Sequence, residues 1–229
     1  MNSKKKNIET QIVEDFEKIR PAITRLLQTQ MNNDDLSLRY GKSKSNSNND
    51  IVINPSILVN TISKTKLDRN EVMIGTVVHE AIHATNNYSM DPDSLNKLFP
   101  DELDDVQDVD DVLEILTGPF GKYVFDILIH SIEEKNFVKQ YEGLNSILED
   151  IYNESFSEIK KLGSFSQYLS LLFHSITSYI DPEFSEYRKP VIRSLNESLH
   201  ILKTLNYEDI NVSELIEATI QMIDICKRY

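Results

Sequence analysis

The chain has little of the residues that build disulfide scaffolds or interrupt helices. Its 229 residues include one cysteine, Cys226, no tryptophan, 6 glycines and 7 prolines. One cysteine can form neither an internal disulfide nor a multi-thiolate metal site, so a disulfide-rich secreted scaffold and a cysteine metal cluster are excluded. Because glycine and proline punctuate helices, their scarcity predicts a mainly α-helical protein.

Long apolar runs and an excess of basic residues are also missing. No segment approaches the roughly 18 apolar residues of a membrane-spanning helix, so we expect no membrane partner. The formal net charge is −13, from 37 acidic and 24 basic side chains. Because phosphate binding needs clustered lysine and arginine, we expect no nucleic-acid partner. With its unpaired thiol and an acidic, non-apolar start around Glu14, the protein is expected to be cytoplasmic.

The spacing of apolar residues predicts a mainly α fold with a small β element (α+β). Residues 7–30 fit an amphipathic helix that Pro21 is expected to kink or divide. Two short β-prone segments follow at residues 36–40 and 51–53. The acidic segment 91–114 is expected to be loop apart from one short helix near its end. Further helices are predicted at residues 71–86, 109–116, 122–141, 144–162, 165–180, 183–205 and 213–228.

The most informative residues are His79, Glu80 and His83, which form the pattern HExxH in the predicted helix 71–86. On an α-helix, residues i and i+4 share a face and lie about 6 Å apart along the axis. Two neutral imidazoles there suit Zn²⁺, and the glutamate between them is placed to accept a proton from water. The pattern therefore predicts His79 and His83 as zinc ligands and Glu80 as the general base. The alternative is a hydrogen-bonded histidine pair in a core, with Glu80 at the surface.

The segment TVVHEAIHAT, residues 76–85, resembles the signature helix of the zincin metallopeptidases. The resemblance implies a hydrolase, a zinc protease that cuts a peptide or protein substrate with a metal-activated water. The metzincin continuation HExxHxxGxxH is absent, because Asn86 stands at its glycine and Ser89 at its third histidine. The gluzincin branch instead takes a glutamate ligand from a second helix. An edge strand, residues 38–40 or 51–53, would then align the peptide; the alternative is a hairpin that covers the core.

The predicted helix 122–141 offers such a glutamate. A rotation of roughly 100° per residue places Asp126, His130, Glu133 and Glu134 on one arc. Residues 130–134 resemble the NxxED element of zincin-like domains associated with phage and bacterial ATPase or von Willebrand-type modules, with His130 replacing the asparagine and Glu134 the aspartate. That alignment implies Glu133 as the third metal ligand and Glu134 as a partner that orients a histidine. Glu134 or His130 could exchange roles with Glu133, and the alternative is a salt-bridged core contact.

These expectations divide the chain into an N-terminal lobe, residues 1–117, and a C-terminal helical lobe, residues 118–229, which together form one catalytic unit. The N-terminal lobe would supply Glu80 and two ligands, and the C-terminal lobe the third. A second hypothesis is a zincin-like scaffold with little or no turnover that binds metal and acts through protein contacts. His174, His200 and Cys226 are interpreted as packing residues. The substrate and the oligomeric state are left open.

Overall fold

The computed structural model describes residues 2–30, 32–41, 50–85, 90, 92–99, 106, 108–139, 141–179, 186–208 and 211–229. Within these ranges the fold is mainly helical with a two-stranded parallel sheet, which confirms the predicted class. Of the described helices, none combines the length and apolar character needed to cross a bilayer. The elements are α1 (Asn2–Gln30), β1 (Ser37–Tyr40), β2 (Asp50–Ile53), α2 (Pro55–Lys64), α3 (Arg69–Thr85), α4 (Pro92–Leu98), α5 (Val109–Thr117), α6 (Gly121–Val138), α7 (Glu142–Ile159), α8 (Ser164–Thr177), α9 (Lys189–Leu202) and α10 (Val212–Arg228).

The chain forms two compact units that differ from the predicted lobes. The first comprises Met1–Asn87 and Tyr141–Glu154, and the second Tyr88–Gln140 and Ser155–Tyr229. Residues 88–117, which were predicted to belong to the N-terminal lobe, lie in the second unit because α5 packs against α6 and α10. The first part of α7 joins the first unit because its isoleucines lie against α3.

In the first unit, α1, α2 and α3 pack together with the sheet around an apolar core. Helix α1 continues through Pro21, so of the two expected effects, a kink or a division, the division does not occur. Proline removes one hydrogen-bond donor, but the buried apolar stripe on both sides of Pro21 holds the helix together. That stripe consists of Ile12, Phe16, Ile23 and Leu27.

The two strands pair in parallel, with Ser37 opposite Asp50 and Tyr40 opposite Ile53. The hairpin interpretation is therefore wrong, because hairpin strands are antiparallel. Residues 42–49, which connect the two strands, lie outside those described. Leu38 and Ile53 point into the core, and Arg39 donates a hydrogen bond to Asp50 across the pair.

In the second unit, α6 packs against α5, α8 and α10, and α9 packs against α8 and α10. Apolar side chains from these helices form one core, which includes Val112, Val124, Leu128, Ile132, Leu171, Leu172, Leu195 and Met222. The structure confirms the helices predicted at 109–116, 122–141, 165–180 and 213–228 to within a few residues. Helix α9 begins at Lys189 and not at residue 183, with Pro190 in its first turn, where proline is favoured.

Candidate functional site

Helix α3 carries the HExxH pattern, as predicted. Asp68 caps its start, since its Oδ1 accepts hydrogen bonds from the backbone amides of Asn70 at 2.9 Å and Glu71 at 3.2 Å. The apolar positions of the helix are buried in the core of the first unit, whereas His79 and Glu80 are partly exposed. Position 83 lies one turn after position 79 on the same helix, and the side chain of His83 lies outside the described part of the chain.

The Tyr152 hydroxyl contacts the His79 ring. Its oxygen lies 3.0 Å from His79 Nδ1, and the two rings meet edge to face with centroids 6.2 Å apart. Either atom can be the donor, depending on the imidazole tautomer. When Nδ1 carries the proton and donates to Tyr152, the lone pair of a neutral imidazole lies on Nε2, where it can bind a metal ion.

The packing of α7 on α3 brings Tyr152 to His79. Gly75, one turn before His79, leaves room for α7: a Cβ there would lie 2.6 Å from Ile151 Cδ1 and 2.9 Å from Ile147 Cγ2. Two residues beyond Tyr152, the Glu154 carboxylate accepts hydrogen bonds from the Thr65 hydroxyl and, at 2.7 Å, from the Lys66 backbone amide. These two hydrogen bonds lower the pKa of Glu154. The part of α7 that carries Tyr152 is therefore fixed on both sides of the tyrosine.

The four residues of the predicted arc, which include the predicted third ligand Glu133, lie on α6, in the second unit. Glu133 and Glu134 are buried, at 7% and 0% exposure, while Asp126 and His130 are partly buried. Desolvation raises the pKa of Asp126, and the nearby Lys122 ammonium opposes that shift. The structure thus places all four on one helix, as predicted. His79 and Glu80 belong to the first unit. The role of Glu133 as the third metal ligand, beside His79 and His83, stays a prediction.

A metal cluster is not evident from the described side chains taken alone. Among them, no group of three or more histidine, cysteine, aspartate or glutamate residues is arranged to hold a metal ion. That set does not contain the side chain of His83, which is one of the two predicted histidine ligands.

Of the three residues interpreted as packing residues, the structure buries His174, partly buries Cys226 and leaves His200 exposed. His174 is buried on α8, with ring centroids 5.2 Å from Phe156 and 5.5 Å from Phe173. His200 is exposed on α9, so its interpretation as a packing residue is wrong. Cys226 is partly buried, and its burial raises the pKa of the thiol, which makes it a poor nucleophile.

The burial of His174 predicts a pH-dependent stability. Desolvation lowers its pKa from 6.5 to about 4, so between these values the unfolded chain binds a proton that the folded chain excludes. This contribution to stability is complete above pH 6.5 and is lost as the pH falls toward 4. The free energy of unfolding of the wild type should therefore fall by about 2–3 kcal/mol over that range because of His174. We expect this part of the fall to be absent in His174→Gln, as measured by urea unfolding from pH 7.5 downward.

The matched control for this experiment is His200→Gln, which removes an exposed imidazole in the same unit. We expect this control to keep the wild-type pH dependence. Parallel stability curves for wild type and His174→Gln would show that His174 contributes nothing to the pH dependence.

Sequence reasoning missed Tyr152 as a contributor to the site. It lies 73 residues after His79, on a helix with no motif of its own. The contact depends on how α3 and α7 pack, and a small residue such as Gly75 inside a helix is the one signal that marked a close approach there.

Comparisons of the chain with protein-family models, with curated proteins and with solved structures gave no match.

Proposed function

We propose that this chain is a zincin-like zinc metallopeptidase that hydrolyses peptide bonds. The observation that carries the proposal is the environment of His79 on α3: its Nδ1 lies at hydrogen-bond distance from a hydroxyl, and when Nδ1 donates the proton the lone pair on Nε2 can bind a metal. Glu80 follows directly and is partly exposed, and position 83 lies one turn further along the same helix. The donor set of two imidazoles with an adjacent carboxylate fits zinc.

In this proposal His79 and His83 hold the zinc ion and Glu80 handles the proton. Zinc, when bound, supplies Lewis acidity that lowers the pKa of water and polarises a carbonyl group. The Glu80 carboxylate accepts the proton of the attacking water and delivers it to the nitrogen of the leaving amine. No residue of the chain forms a covalent bond with the substrate. The third ligand stays a prediction from the sequence, with Glu133 first and Glu134 or His130 as the alternatives.

Removal and return of zinc tests this function. We expect purified protein to cleave an unstructured polypeptide such as casein, to lose this activity after treatment with a chelator, and to regain it with one equivalent of Zn²⁺. The activity should depend on the metal because, in the proposed mechanism, zinc lowers the pKa of the attacking water. Cleavage is measured by the release of new amino termini.

Two results would count against the proposal. Cleavage that survives complete zinc removal would contradict a metal-dependent mechanism. Zinc uptake without cleavage of any peptide would favour the alternative, a zincin-like scaffold that acts through protein contacts.

A further inference from the structure

We propose that Tyr152 is a positioning residue that sets the tautomer and the ring orientation of His79 for metal binding. The inference rests on the proposed function, because it assigns the hydrogen-bond partner of one proposed zinc ligand. Tyr152 lies on α7, far in sequence from the HExxH pattern, and its oxygen is 3.0 Å from His79 Nδ1.

If His79 binds a metal through Nε2, the chemistry of imidazole requires Nδ1 to be the hydrogen-bond donor and the Tyr152 oxygen to be the acceptor. A neutral histidine has one protonated ring nitrogen and one lone pair, and the lone pair must face the metal. If Tyr152 accepts the hydrogen bond, the proton stays on Nδ1 and Nε2 is the ligand atom. Histidine ligands in proteins commonly donate their second N–H to an oxygen acceptor, which orients the ring and makes the ligand more basic.

The geometry shows a supported contact and not a chance approach of two surface side chains. Tyr152 and His79 are both partly buried, and their rings are inclined by 74° so that the hydroxyl meets the edge of the imidazole. Gly75, one turn before His79, permits the close approach of Ile147 and of Ile151, which directly precedes Tyr152. Glu154 ties the following residues of α7 to the backbone amide of Lys66.

Tyr152→Phe removes the hydroxyl and keeps the ring, so it isolates the hydrogen bond. We expect the dissociation constant for Zn²⁺, measured by competition with a chromophoric chelator, to rise about 10- to 100-fold, the usual effect of losing a partner that orients a histidine ligand. In wild-type protein loaded with zinc, we expect nitrogen-15 NMR to detect a ring N–H of His79 at Nδ1 that is protected from exchange with water. This signal should be lost in Tyr152→Phe.

The matched control is Tyr123→Phe, which removes a hydroxyl from a tyrosine that is 56% exposed on α6. We expect its zinc dissociation constant and the His79 signal to equal those of wild type. Equal unfolding temperatures for the two variants would show that the change in zinc affinity comes from the site and not from a loss of folded protein.

The outcomes separate this inference from the proposed function. Wild-type protein that takes up no zinc would overturn the proposed function and this inference with it. Wild-type protein that binds zinc, beside a Tyr152→Phe variant with the same dissociation constant and the same protected N–H, would overturn the inference alone. A raised dissociation constant together with the lost N–H signal would support it.

Discussion

Replacing Glu80 with glutamine is expected to remove peptide hydrolysis while the protein keeps its zinc. Glutamine has nearly the same shape as glutamate but cannot accept the proton of the attacking water. A positioned general base contributes about 10²- to 10⁴-fold to rate, so kcat should fall by that factor. Steady-state cleavage of a quenched fluorescent peptide measures the rate, and elemental analysis of the same sample measures the zinc.

A matched control for this variant is available on the same helix. Glu71 lies in the first turn of α3 and is exposed, so Glu71→Gln makes the same chemical change about two and a half turns away from Glu80. We expect Glu71→Gln to cleave at the wild-type rate. Unchanged cleavage by Glu80→Gln would eliminate Glu80 as the base, and loss of zinc from Glu80→Gln would indicate that Glu80 is a ligand.

Replacing His79 with alanine is expected to remove both zinc and hydrolysis. The change deletes a proposed ligand together with the ring that contacts Tyr152. Loss of a residue that only orients a ligand costs about 10- to 100-fold in metal affinity, so loss of the ligand itself should exceed about 100-fold. We expect His83→Ala to show the same loss, because its position one turn later makes it the other proposed ligand on α3.

The control for the histidine variants is His200→Ala. His200 is exposed on α9 and belongs to the second unit, so its removal should leave zinc affinity and hydrolysis unchanged. Equal loss of zinc from His200→Ala and His79→Ala would show that uptake is a property of exposed histidines in general.

Much of the local structure could be predicted because apolar spacing reports directly on which helix face is buried. Helix α3 was predicted from its apolar positions, and Val72, Val77 and Ala81 are indeed buried in the core of the first unit. The arc of ionisable residues on α6 was predicted in the same way, and Glu133 and Glu134 are buried there. Periodicity alone supplies this information, since it depends only on neighbours within one helix.

Other features depend on contacts that periodicity does not encode. Helix α4 was missed because Pro92 was interpreted as a loop residue, whereas it occupies the first position of the helix, where its missing N–H costs nothing. The parallel pairing of β1 and β2 was missed because two short strands with a polar connection carry no signal of direction. Tyr152 was missed because its partner is distant in sequence.

The most direct measurement is the zinc stoichiometry of folded protein, determined by native mass spectrometry on wild type and His79→Ala prepared side by side. We expect one zinc ion per wild-type chain and none on His79→Ala at the same free zinc concentration. Equal zinc occupancy of the two proteins, or a wild-type chain that takes up no zinc, would contradict zinc binding by His79.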